Sequence, residues 1–249
     1  MNNISFTIEK YKNIKLNTKH PDLYFDKIFI INLDKSTLRW NKLTNELIKK
    51  GIFNFERQPG IYLPRKDASY ILPNEFYSNL EAYGGKFKFD NNYILNCVGT
   101  NLAHFEIVKK SIKRGYKRIL ILEDDVFFTH DFFNKFILMV GYLNSIQNNW
   151  HLIYLGYKKS NAGFKPIKVN SILSIPKNSI RGAYGYALNL PAFNIITNHA
   201  LYKGMEIDAY FEFVLCKYGK VFCLNNPIIS HRDGMESTIT NRNWNKRKF

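Results

Sequence analysis

Between Lys117 and Phe128 the chain reads Lys-Arg-Ile-Leu-Ile-Leu-Glu-Asp-Asp-Val-Phe-Phe. Successive side chains of a strand point to opposite faces, so four consecutive branched aliphatics, Ile119 to Leu122, need cover on both sides. That requirement predicts a central strand in a largely parallel sheet with helices on each face. Three carboxylates, Glu123, Asp124 and Asp125, follow at once. In open α/β sheets ligands bind beyond the carboxyl ends of the strands, so an acidic cluster emerging there is placed for chemistry. Carboxylates packed this closely raise one another's pKa, and a hard divalent cation would relieve the conflict. The competing reading is a plain acidic surface turn. The continuation into Val126-Phe127-Phe128 argues against it, because an exposed turn rarely runs straight into apolar residues.

The flanking chain supplies the rest of such a sheet. Lys27 to Leu33 is a second buried strand, followed by Trp40, Leu43, Leu47 and Ile48 at helical spacing as far as Gly51. Phe53 to Glu56 is a further strand, closed by Pro59-Gly60. Residues 64 to about 96 are rich in Tyr, Asn, Gly and Pro, and a loop of that length in a compact domain is usually functional or variable. Gly99-Thr100-Asn101 is expected to open a helix whose apolar face is Leu102, Phe105, Val108 and Ile112, ending at Gly115. After the acidic strand, Thr129 or Asp131 caps a helix to about Ile146, and Trp150 to Gly156 is another strand. The second half is less regular: strands around Ile167–Ile175 and Tyr184–Leu190, helices near Pro191 and Glu206, and a last strand at Val221–Leu224. Strands alternating with helices predict an α/β fold.

At 249 residues and 45% hydrophobic, the chain can bury the core of one such domain. The expected organisation is an arm over 1–25, a domain over 26–240 and a basic tail over 241–249. No apolar run is long enough to span a bilayer, and the first residues lack the pattern of a secretion signal, so a cytoplasmic location is expected. Cys97, Cys216 and Cys223 show no Cys-x-x-Cys spacing, which excludes a sequence-legible zinc site. The net charge of +16 predicts polyanionic partners, such as nucleotide phosphates or an anionic surface met by Arg242, Lys246, Arg247 and Lys248. A lysine-rich composition that merely solvates the surface explains it equally well. No Gly-x-x-x-x-Gly-Lys-Ser/Thr loop is present, and the strand ending at Leu33 carries no Gly-x-Gly-x-x-Gly. P-loop hydrolysis and dinucleotide binding are therefore unsupported. A metal-dependent nuclease and sugar transfer from a nucleotide donor remain.

Five segments in order carry a resemblance over roughly residues 27–240. Ile31-Asn32-Leu33 with Arg39, Gly99 to His104, Leu122 to Asp125, Trp150 to Gly156, and Ile207-Asp208 together resemble glycosyltransferase family 25, the group of lipopolysaccharide-type glycosyltransferases and collagen galactosyltransferases. Thr100, Ala103 and His151 depart from that pattern at positions where cysteine, serine and aspartate are usual in the family. The resemblance implies a GT-A-like, Rossmann-like mixed sheet flanked by helices. It also implies a donor half over about 26–157 and an acceptor half over about 158–240. The expected donor is a UDP-sugar, galactose or glucose, used with Mn²⁺ or Mg²⁺, and the expected acceptor is a glycan or protein hydroxyl; nucleic acid is not expected as a partner.

Roles follow from the chemistry of an inverting transfer, in which a base takes the acceptor's proton while a metal stabilises the departing diphosphate. Asp125 is the expected metal ligand, with His231 as a further one. Asp124 would hydrogen-bond ribose or sugar and Glu123 would tune the pair. Asn32 and Arg39 are expected near the nucleotide, and His104 would orient the donor or a neighbouring group. Asp208 is the expected base. Each has a structural alternative: Asn32 a strand-end cap, Arg39 a solvated helix residue, His104 a core histidine, His231 a surface histidine, Asp208 a helix cap. A catalytically silent UDP-binding member of the family is the alternative for the chain as a whole.

Overall fold

The computed structural model describes residues 19–63, 91–159, 166–176, 180–199, 206–218 and 220–232. The loop over 64–90, the basic tail and residues 1–18 of the expected arm lie outside the described residues. The rest of that arm folds into the body of the protein. Helix α1 (Pro21–Tyr24) is capped by the His20 side chain, which accepts from the Asp22 amide, and Tyr24 and Phe25 are buried against Phe136.

The acidic strand lies inside the sheet, as its apolar run demands. It is β3 (Arg118–Glu123), bordered by β1 (Lys27–Asn32), which in turn pairs with β2 (Phe55–Pro59), all parallel. On its other side lies β8 (Ile180–Asn189), antiparallel, followed by β5 (Leu152–Lys159) and β9 (Val221–Leu224), which are parallel to each other. Two short strands, β7 (Leu173–Ile175) and β6 (Ile167–Lys168), complete an eight-stranded mixed sheet of order β2-β1-β3-β8-β5-β9-β7-β6. The GT-A-like mixed α/β sheet expected from the sequence is therefore present, with β8 longer than its apolar pattern predicts.

Period-two alternation divides the core between the two faces of this sheet. Ile28, Ile30, Leu120, Leu122, Ile153 and Leu155 face one side, where they meet Leu43 and Leu47 of α2 (Thr37–Lys49). Phe132, Phe136, Met139, Val140 and Leu143 of α4 (Phe132–Ser145) join them there. Phe29, Ile119, Ile121, Leu152 and Tyr154 face the other side. They pack on α3 (Asn91–Lys113), α5 (Leu190–His199) and α6 (Ile207–Phe213). Among the described residues no helix is long and apolar enough to cross a membrane.

Two readings of α3 are corrected. The helix is already formed at Asn91, so Gly99-Thr100-Asn101 and His104 sit within it and not at its start. Gly99 is there for space: a β-carbon at that position would lie 2.1 Å from the carbonyl oxygen of Ile61, on the segment leaving β2. Ile112, expected on the apolar face, is exposed, and Ile107 takes the inner position instead.

The connection β1–α2–β2 runs on one face and the helix entering β3, α3, packs on the other. The chain therefore switches direction between β1 and β3, and a crevice opens beyond their carboxyl ends. Substituting Gly99 by alanine should push the Ile61 segment out of place and destabilise the protein by about 1–3 kcal/mol. A lowered urea midpoint with an unchanged slope is the expected reading.

Candidate active site

Asn32 and Asp124 meet at the carboxyl ends of β1 and β3. Asn32 ends β1, and its amide nitrogen donates to Asp124 Oδ2 at 2.6 Å and to the Ser36 carbonyl at 3.0 Å. Arg39, in the first turn of α2, donates from Nη1 to Asp124 Oδ1 at 3.2 Å and lies 3.9 Å from Asp125 Oδ2. Both residues expected near the nucleotide thus bind the acidic loop directly. Burial pushes the Asp124 carboxyl up, and the Asn32 and Arg39 donors pull against it without fully offsetting it. Sequence reasoning missed a third member. Arg57 of β2 donates to Asn32 Oδ1 at 2.9 Å, to the Asn32 carbonyl at 3.1 Å and to Asp34 at 2.6 Å. Its one legible signal is a charge in a strand whose register partner, Ile30, is fully buried.

Asp125 meets His231 by a route the sequence does not reveal. The apolar continuation of the acidic loop is a short strand, β4 (Val126–Phe128), paired antiparallel with β10 (Ile229–His231), which sets His231 opposite Val126. His231 Nδ1 lies 3.2 Å from Asp125 Oδ1, and the Arg232 amide donates to the Asp125 carbonyl at 2.8 Å. Glu46 of α2 secures both strands: it accepts from the Phe128 amide at 2.9 Å and from the Arg232 guanidinium. Burial raises the Asp125 carboxyl, but His231 and Arg39 overcome that and hold it below the usual range.

Glu123 is the strained member of the trio. Burial, reinforced by Asp125, Asp124 and Asp208, pushes its carboxyl up to about 8, with Lys158 pulling the other way. Behind it, His104 is enclosed in the core, with Nε2 4.0 Å from Glu123 Oε1 and Nδ1 2.7 Å from the Tyr186 hydroxyl. Among the described residues His104 is a buried histidine that borders the site through Glu123. Asp208 stands on the β8 side. One of its oxygens accepts from the Gly182 amide at 3.0 Å, the other from the Ala209 amide at 2.8 Å, and Arg181 lies 3.9 Å away. Glu206 is the residue preceding α6, and Glu212 is bound to Arg181 at 3.3 Å. In sheet order, then, Asn32 at β1, the acidic loop at β3 and Asp208 at β8 occupy one rim.

The family model for glycosyltransferase family 25 (LPS biosynthesis protein) matches residues 25–210. The chain belongs to that family. The match takes in Asn32, Arg39, His104, Glu123 to Asp125 and Asp208, and stops short of His231. Human procollagen galactosyltransferase 2 is 23% identical over 253 residues, covering 92% of this chain, and its mouse counterpart is 24% identical over 242. A human relative named inactive glycosyltransferase 25 family member 3 is 29% identical over 118 residues, 45% of this chain. The chain spans about a third of the length of the procollagen galactosyltransferases it matches, 34% and 36%. Among solved structures, a glycosyltransferase involved in glycosylation of the major capsid of PBCV-1 aligns with a TM-score of 0.45 at 11% identity, over 86% of this chain and 95% of that one.

Asp125 and His231 are spaced so that they could share a divalent cation, as they are for a direct carboxylate–imidazole contact. Two ligands at right angles, each about 2.1 Å from an ion, stand roughly 3 Å apart, close to the separation of Asp125 Oδ1 and His231 Nδ1. Among the described residues no group of three or more His, Cys, Asp or Glu side chains is gathered to hold an ion. Two protein ligands would leave the other positions of such a cation to water or to a substrate phosphate.

Burial drives the His104 imidazole down to about 3, so it is neutral in the folded protein and charges only on unfolding below its ordinary value of 6.5. The stability it contributes is complete above pH 6.5 and is lost as pH falls towards 3, by up to about 1.4 kcal/mol per pH unit. Guanidinium titrations between pH 4 and 7 should show that slope in the wild type and a shallower one in His104→Gln.

Proposed function

We propose that this chain is a metal-dependent glycosyltransferase that moves a hexose from a UDP-sugar to a hydroxyl of a glycan or protein acceptor, with inversion at the transferred carbon. The observation that carries the reading is the convergence, at the β1/β3 crevice, of a rigid carboxylate network, a carboxylate–imidazole pair and a separate carboxylate on β8's side. Family membership supports sugar transfer, and the names of the procollagen galactosyltransferases favour galactose and a protein acceptor.

Asp125 and His231 would hold Mn²⁺ or Mg²⁺, which when bound neutralises charge developing on the leaving diphosphate. Asn32 and Arg39 fix both oxygens of Asp124, so that its remaining lone pairs face the ribose or sugar in one orientation. Asp208 is the base for the acceptor hydroxyl. Its two backbone donors stop the carboxylate from rotating, and each oxygen keeps a lone pair for the incoming proton. Glu123, whose carboxyl is pushed up by burial and by its acidic neighbours, would add less like charge beside it.

A panel of UDP-sugars with Mn²⁺, read by UDP release with and without acceptor, tests the assignment. No release from any member would leave a silent UDP-binding protein. In Asp125→Asn, Mn²⁺-dependent UDP affinity should fall steeply with the fold intact, and unchanged calorimetric affinity would remove the acidic loop as the metal site. Asp208→Asn should keep donor affinity while transfer drops by about 10²- to 10⁴-fold. Asp208 lies inside the first turn of α6 and not at its cap, and asparagine keeps one oxygen to accept from the Gly182 or Ala209 amide, so near-normal turnover would reduce Asp208 to a structural residue.

A further inference from the structure

His231 is the one member of the proposed cation pair that the family match does not include, and it reaches Asp125 from a three-residue strand. A two-stranded ribbon is marginal alone, so something outside it must fix the imidazole. Tyr184 of β8 is in the right place. Its ring centroid lies 3.9 Å from that of His231, with the planes inclined at 48°, and the tyrosine is almost entirely buried.

The space for that ring is made by two glycines. A β-carbon on Gly156 of β5 would stand 2.5 Å from Tyr184 Cε2 and 2.7 Å from the Ile229 carbonyl oxygen of β10. A β-carbon on Gly182 would stand 2.7 Å from Cε1, on the opposite edge of the same ring. Gly182 also has φ +101°, a conformation that costs other residues energy. Gly185, the next turn of the strand, leaves room for the Ile229 side chain, 2.8 Å from where its own β-carbon would be. Glycines on two central strands thus seat one aromatic ring and the strand that carries His231.

We propose that Tyr184 is a positioning residue for the cation site: seated between Gly156 and Gly182, its ring holds the His231 imidazole against Asp125. It does not bind the ion itself. Groups that orient metal ligands from behind typically contribute 10- to 100-fold in metal affinity. The inference rests on the metal reading of Asp125 and His231 and extends it to how the second ligand is kept in place.

Manganese alone is the probe, with affinity measured by calorimetry and by the paramagnetic resonance of free Mn²⁺, and folding by near-ultraviolet circular dichroism. Tyr184→Leu should weaken Mn²⁺ binding by about 10- to 100-fold, and Tyr184→Phe, which keeps the ring, should retain it. Where the leucine variant loses its fold, Tyr184→Met fills similar space without a ring. In a His231→Ala background the same Tyr184 substitution should cost no further affinity, since the ring acts only through the imidazole. A residue that merely supports the fold would lower thermal stability without that dependence on His231. Undiminished Mn²⁺ binding in the ringless variants, or an equal loss with and without His231, overturns the proposal. Wild-type affinity in His231→Ala with loss in Asp125→Asn overturns it while sparing the acidic loop; wild-type affinity in Asp125→Asn removes the metal reading itself.

Discussion

Three adjacent carboxylates at the end of a buried strand carry a desolvation cost that the surroundings must offset, and most of the site's architecture answers that need. Each carboxylate is treated differently. Asp124 receives an amide from β1 and a guanidinium from α2, Asp125 lies beside an imidazole from the end of the described chain, and the Glu123 carboxyl is pushed up by burial and by its acidic neighbours. Divergent environments push the pKa values of neighbouring carboxylates apart.

Those donors come from β1, from α2 and from β10, which lie far apart in the sequence. Glu46 shows how closely the packing and the site are tied. It sits on α2, whose Leu43 and Leu47 build the core, and its carboxylate binds the backbone of β4 and the side chain following β10. The pair of strands that presents Asp125 and His231 is therefore anchored to a core helix and needs no large interface of its own. Arg57 plays the matching part on the other side, holding the Asn32 amide so that its nitrogen, and not its oxygen, faces Asp124.

Much of this was legible in the residues. The run Ile119 to Leu122 could only be a doubly covered strand, and the carboxylates beyond it could only emerge at the ligand-binding end. The pattern of β1, α2 and β2 was equally plain. Gly99 was legible as important and misread as a helix start, because a glycine demanded by a neighbouring backbone looks in sequence like a glycine demanded by a turn. The four residues at the end of the first arm were misread for a related reason. A short segment such as Pro21–Tyr24 has too little periodicity to declare that Tyr24 and Phe25 are core.

The sequence by itself determined the α/β class, the central strand, the acidic loop and the family signature, because these depend on local hydrophobic pattern and on contiguous residues. Only the tertiary structure decided that β8 enters antiparallel between β3 and β5, bringing Gly182 and Asp208 to the same rim as Glu123. It alone decided that His231 returns to Asp125 across an interval of 106 positions, and that Tyr184 lies beneath it. Such pairings are set by strand order and by which backbones can approach, and a linear pattern of apolar and polar residues carries no record of either.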